Sequence, residues 1–362
     1  MGYEEILRKQ MENLIDGEGL EQLEEQGIHA TEGLAESFTL ENILNATLEG
    51  ESIFQNPVII DSLKNLFLYE IKSALILSSE ILVICIIMGL LKSLSDGFGN
   101  KSITQMSLLV TTMVIIGISL HSFQQSYQLA MDAVSSMVLT MELLLPVLIG
   151  ILAATGAITS GTILSPIILG AVTGSAFLIK TFLLPAIFTS TILFLINCLT
   201  EQNYVNKLAK LLRTAALFLT GLMLTILTGI ITLQGLLTET SDNLLINATK
   251  YSLSNFIPIV GGFTSDTVEL FLRCMSSIKN ILGVFGIIFL VLLMLVPLIK
   301  IFLIGFIYKF TAALAEPVAE GKTVDGMNEM GSSLISMGAI LFLNALLFII
   351  FLTIIINIGG TT

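Results

Sequence analysis

The chain has 362 residues, 54% of them hydrophobic and 12% charged, with a mean hydropathy of +0.92 and a net charge of −12. There is no basic surface to displace counterions from a nucleic acid, three cysteines do not make a disulfide scaffold, and repeated apolar runs of about 18 residues or more exclude a soluble enzyme. A β-barrel would show alternating segments of about ten residues, so the remaining class is an all-α, polytopic helical membrane protein.

The charge is uneven along the chain. Residues 1–73 carry 4 basic and 15 acidic side chains, a net of −11, whereas residues 74–362 carry 12 and 13, a net of −1. The expected organisation is therefore an acidic head (1–73), an apolar membrane domain (74–358) and a short tail (359–362). In the head, Leu7, Met11, Leu14 and Ile15 follow helical spacing up to Gly17, and Leu40, Ile43, Leu44 and Leu48 do so up to Gly50. Asn56-Pro57 is a helix start, with Asn as cap and Pro in the first turn. Ile60, Leu63, Phe67 and Ile71 then form one stripe, expected at the membrane surface before the first span.

About eight spans follow, near 74–91, 103–123, 133–154, 163–179, 182–199, 214–237, 281–308 and 334–358. At about 1.5 Å per residue each crosses most or all of a hydrocarbon core of about 30 Å. The fourth and fifth are separated by Lys180 and Thr181 alone, and read as a tight hairpin or as two half-spanning segments. Between the sixth and seventh, residues near 240–277 are too interrupted to span. Asn255, Pro258, Gly261 and Gly262 mark a re-entrant or interfacial turn there, followed by a short helix capped by Ser265 or Asp266.

Lysine and arginine set the expected orientation. With the head outside, the inner segments hold Lys92, Lys101, Lys207, Lys210, Arg213, Lys309 and Lys322. The outer segments after the head hold Lys180, Lys250, Arg273 and Lys279. Head and C-terminus are then both extracytoplasmic.

No catalytic signature is present: no GxxxxGK[ST] loop, no HExxH, no nucleophile elbow, and His29 and His121 lie far apart. Catalytic, cofactor and metal residues are expected to be none. Ionisable groups inside spans are the candidates for function, namely Glu80, Glu142 and Lys300. Pro146 deprives the carbonyl of Glu142 of its helical donor, and Pro297 does the same to Leu293, three residues before Lys300. Such breaks are where transporters build ion sites, and the plainer role is an ion pair that joins helices. Residues 150–176 are rich in small side chains, including Gly156, Gly161, Gly170 and Gly174, and Gly170-xxx-Gly174 allows close helix approach. This stretch reads either as pore-lining or oligomerising, or as ordinary close packing.

Several landmarks occur in order: Leu91-Lys-Ser93; Leu144-Leu-Pro146 leading to Ala153-Ala-Thr-Gly156 and Ser160-Gly161; Asn255-Phe-Ile-Pro-Ile-Val-Gly-Gly262 before Ser265-Asp266; and Ala315-Glu-Pro317 before Asn328-Glu-Met330. With the acidic head, this order resembles the stage III sporulation protein AE family of endospore-forming bacteria over most of residues 60–358. Members usually begin with a cleavable hydrophobic segment, and its absence from residues 1–30 is expected of a chain that starts after it. The resemblance implies a non-enzymatic subunit of a mother-cell membrane complex. That complex joins a forespore partner, is similar to specialised secretion systems, and acts as a channel or feeding tube. The implied partners are other stage III sporulation membrane proteins, the forespore-side channel partner, the lipid bilayer and further copies of the chain, with no nucleic acid. The competing expectation is an independent secondary transporter using Glu142 and Lys300.

Overall fold

A computed structural model of the protein describes residues 57–98, 101–155, 157–200, 204–256 and 261–358. The expected head helices, Gly156, Pro258 and the tail lie outside the described residues. The described residues form helices and short turns. They are α1 (Pro57–Phe98), α2 (Lys101–Ala154), α3 (Ile158–Leu178), a π-helical segment (Ile179–Leu183), α4 (Leu184–Cys198), α5 (Asn206–Phe256), α6 (Gly261–Ala315) and α7 (Gly321–Asn357). Pro57 opens α1, as its fixed φ and missing N–H favour. Residue 73 lies within α1, so the last part of the expected head, 57–73, and the first span share one unbroken helix.

Among the described residues six helical segments are long and apolar enough to cross a membrane, in keeping with the approximate expectation of eight, give or take one or two. Two expected breaks do not form. Residues 124–132 contain no Gly or Pro, and α2 runs through them. Lys180 and Thr181 are too short a link for a turn, and the chain continues from α3 into α4 through the π-helical segment, which takes up Pro185 at the start of α4. The short helix expected after Ser265 is part of α6, which starts at Gly261. Asn255 lies in the last turn of α5, and Gly261 and Gly262 in the first turn of α6.

The apolar stretch of α2, Leu109–Ala154, is 46 residues long. At about 1.5 Å per residue it measures about 69 Å, twice a hydrocarbon core of about 30 Å. One continuous helix crosses once, so α2 is longer than a single perpendicular crossing needs. The same holds for the 44 residues of Leu272–Ala315 in α6.

The helices pack antiparallel, and interhelical contacts fix their register. Backbone of Val318 lies against Gly89, Thr112 bonds Thr323 at 3.0 Å, and Cys198 fills the space beside Gly326. The α1–α2, α4–α5 and α6–α7 connections therefore share one end. At the opposite end, Leu144 and Leu352 both meet Gly286, and the Lys279 ammonium donates to the carbonyl of Ile358. The start of α1 and the end of α7 point toward this second end.

α2, α6 and α7 form the centre, and α6–α7 is the most extensive pair. α1 and α5 are peripheral. On α1, Ala74, Ser78, Ile81, Cys85 and Met88 face inward at three- and four-residue spacing, while Leu75, Ile76, Val83, Ile86, Ile87 and Leu90 are exposed. An outer face as apolar as the inner one is what lipid, not water, selects.

Candidate functional site

Four features carry the polar and steric chemistry of the bundle. The first is a polar corner at the shared loop end. Arg213 of α5 pairs with Glu329 of α7 at 2.8 Å, and its Nη1 also donates to the backbone carbonyl of Glu329 at 3.3 Å. The guanidinium sits 5.1 Å over the ring of Phe194, and Lys210 approaches Glu329 at 3.5 Å. A fork with several donors can hold a carboxylate, a carbonyl and an aromatic face at once, which an ammonium cannot. Lys322 donates to the carbonyl of Thr200, closing the α4–α5 turn onto α7. Asn197, Asn206, Asp325 and Asn328 complete the lining of a cavity of about 160 Å³. Among the described residues no three of His, Cys, Asp and Glu gather closely enough to hold a metal ion.

The second feature is the Lys300–Glu70 ion pair, 3.2 Å long and largely enclosed between α6 and α1. Lys300 thus takes the helix-joining role open to it in the sequence, with a partner from the acidic head segment. Glu142 is exposed on α2, close to the Leu144 that meets Gly286. Gly286 is 14 residues from Lys300 along α6, or about 21 Å. Glu142 and Lys300 are not brought together. Pro146 is exposed and lies inside α2, which continues past it to Ala154.

The third feature is a set of buried hydroxyls. Ser78 and Thr311 bond at 2.7 Å between α1 and α6, and the Ser190 hydroxyl donates to the carbonyl of Ala209 at 2.7 Å between α4 and α5. Tyr308 is fully buried, with its phenol directed at Ser119 and Ser122. The Ser78–Thr311 and Ser190–Ala209 bonds join helices whose surfaces are otherwise largely apolar.

The fourth feature is an open apolar groove. Gly170 and Gly174 are exposed, and a Cβ built on either would meet nothing within 4 Å. They line a groove of about 690 Å³ between α3 and α5, walled by Phe177, Phe182, Leu219 and Leu222 among others. Gly161 lies in the first turns of the same helix.

The helix-packing glycines are others, outside the 150–176 stretch. A Cβ at Gly331 would lie 2.6 Å from the carbonyl oxygen of Gly305, so α6 and α7 cross backbone to backbone. Gly283, Gly286 and Gly326 are equally occluded. A signal exists in the seven-residue spacing of Gly331 and Gly338, two turns apart on one face. Arg213 and Glu329 are each visible in the sequence, one in the basic cluster 207–213 and one in Asn328-Glu-Met330, but not as partners.

The polar corner falls on those landmark residues, and the comparison with known proteins agrees. The family described as Stage III sporulation protein AE matches residues 38–359. Stage III sporulation protein AE of Bacillus subtilis (strain 168) is 29% identical over 315 residues, covering 87% of this chain and 79% of that protein. No solved structure matches the chain. A match over the whole membrane bundle, together with apolar helices that make it a multi-pass membrane protein, means that the chain belongs to the stage III sporulation protein AE family.

Proposed function

We propose that this chain is a non-enzymatic subunit of the channel complex joining mother cell and forespore during sporulation, and that several copies assemble through the α3–α5 flank to form or organise its pore. The observation that carries the reading is the open groove at Gly170 and Gly174. A bare backbone on an exposed face gains little from disordered lipid tails and much from a closely fitting helix. Further copies of the chain, other stage III sporulation membrane proteins and the forespore-side partner are the assembly's other members.

The same reading places the protein in the mother-cell membrane around the forespore, with head and C-terminus extracytoplasmic. Support comes from the basic residues. Lys92, Lys101, Lys207, Lys210, Arg213, Lys309 and Lys322 all belong to the end with the α1–α2, α4–α5 and α6–α7 connections. Lys180 lies within the helical run instead of a loop and leaves the count, which strengthens the asymmetry.

The test is cross-linking in sporulating membranes. Cysteine at position 170 or 174, with Cys85, Cys198 and Cys274 replaced, is expected to give dimers and larger species with a short bifunctional thiol reagent. A chain that stays monomeric in lipid and yields no cross-link overturns the proposal. Labelling of head cysteines by an impermeant thiol reagent added outside the mother-cell membrane tests orientation. Glu142→Gln with Lys300→Met separates this reading from the transporter. A channel subunit keeps sporulation with both replaced, whereas a carrier that uses them loses it.

A further inference from the structure

Asn344 is fully buried in α7, and neither its Oδ1 nor its Nδ2 has a hydrogen-bond partner among the described residues. Inside a membrane bundle such an amide is costly unless something satisfies it, and buried polar groups without a protein partner are where ordered water is held.

Helical phase gives its direction. Asn344 follows Gly326 by 18 residues, five full turns, so both lie on one face of α7. Gly326 meets Cys198 at the end of α4. The helices are antiparallel, and the Lys322–Thr200 bond sets the same register as the Gly326–Cys198 contact. Eighteen residues back from Cys198 is Lys180, in the π-helical segment.

A second route reaches the same level. The Lys180 ammonium donates to Ser135 of α2 at 2.8 Å. Leu144, nine residues beyond Ser135, shares Gly286 with Leu352, eight residues beyond Asn344. Lys180, Ser135 and Asn344 therefore occupy one layer.

In that layer the π-helical segment is followed by a proline, which withholds one backbone donor. The N–H of Leu184 bonds the carbonyl of Ile179, five residues back. The next bond in this register would run from residue 185 to the carbonyl of Lys180, and Pro185 has no N–H to make it. An amide with two donors thus stands level with a carbonyl to which Pro185 can offer no N–H.

We propose that a buried water site lies at this π-helical break, with water accepting from Nδ2 of Asn344 and donating to the carbonyl of Lys180. Water fits better than a metal cation. The layer offers few oxygens where calcium takes six to eight, and it already contains the Lys180 ammonium. A hydrated break lets α3 and α4 change their relative rotation without leaving a carbonyl bare in hydrocarbon.

The test is water-edited solid-state NMR of the full chain in liposomes, with label on the Asn344 side chain and the Lys180 carbonyl. Both signals are expected to build up from water faster than those of Leu341 and Phe348, which are equally buried. Asn344→Leu is expected to abolish the water transfer at the Lys180 carbonyl, and Pro185→Ala to reduce it by restoring an N–H. Build-up at Asn344 and Lys180 no faster than at Leu341 and Phe348 overturns the site, because the amide and carbonyl are then dry or bonded directly. The wild-type measurement decides this even if either variant fails to fold.

Discussion

The α6–α7 pair and the α3–α5 flank are made of the same residues and finished differently. Both are helical, rich in Leu and Ile, and punctuated by glycine. In α6–α7 the glycines are filled: Gly305 and Gly331 face each other, Gly283 takes Ile356, and Gly286 takes Leu144 and Leu352. On α3 the glycines are open, and no side chain among the described residues fills the groove they line. A glycine in a membrane helix is therefore a docking position whose partner can lie within the chain or outside it. The first arrangement stabilises the fold, and the second makes a surface suited to assembly.

Substitutions sharpen the contrast, and the largest effect belongs to the filled pair. Gly331→Leu would place side-chain atoms where the Gly305 carbonyl and the Lys309 side chain already sit. Overpacking against backbone costs about 3 kcal/mol. The expected outcome is a large loss of unfolding free energy in a detergent titration, and wild-type stability would mean that α6 and α7 do not cross there.

Next is the polar corner. Glu329→Ala leaves Arg213, only 16% exposed in its side chain, without its carboxylate. Partial solvent access lowers the cost below that of a fully buried pair, to about 1–2 kcal/mol. Glu329→Ala and Arg213→Ala in a double-mutant cycle should show coupling that weakens with salt, and additive effects would deny the pair any role.

A smaller change is expected at Ser78→Ala, which removes a buried bond to Thr311 and costs about 1 kcal/mol. Thr311 also donates to the carbonyl of Ile307, so it is not stranded. A combined Ser78→Ala and Thr311→Val variant should cost little more than the first change alone.

The smallest effect on folding is expected at Gly174→Leu, where a side chain enters open space. Its unfolding free energy should stay within about 0.5 kcal/mol of wild type, while its assembly in lipid should fail. Strong destabilisation of the isolated chain would show that the groove is closed in the monomer, and the comparison between the two flanks would collapse.

The relation of sequence to structure varies by element. Pro57 announces α1 because proline's missing N–H costs nothing in a first turn. The third expected span ends at 154, where the stretch rich in small residues begins to interrupt the apolar run, and α2 ends at Ala154. The division of 103–154 into two spans is not borne out. Its polar centre, Gln124 to Asp132, suggests a loop by hydropathy alone, yet every residue in it tolerates a helix. The link between the fourth and fifth spans fails for a related reason: one proline after a helix can be absorbed by a wider turn. At the candidate site, Lys300 is visible as an ionisable residue in an apolar run, but its partner Glu70 lies 230 positions away in the segment assigned to the head.

Composition and local pattern alone determined that this is a helical membrane protein, that a helix begins at Pro57, and which family its landmarks resemble. Apolar length measured against bilayer thickness, and the placement of proline and glycine, are properties of short windows. Tertiary structure decided which apolar stretches run on as one helix, giving six candidate spans among the described residues, which glycines are occluded, and that Arg213 belongs to Glu329 and Lys300 to Glu70. A soluble helix advertises its inner face by being polar on the other. Here both faces of α1 are apolar, so its one-dimensional pattern names no neighbours, and the packing of whole helices chooses them.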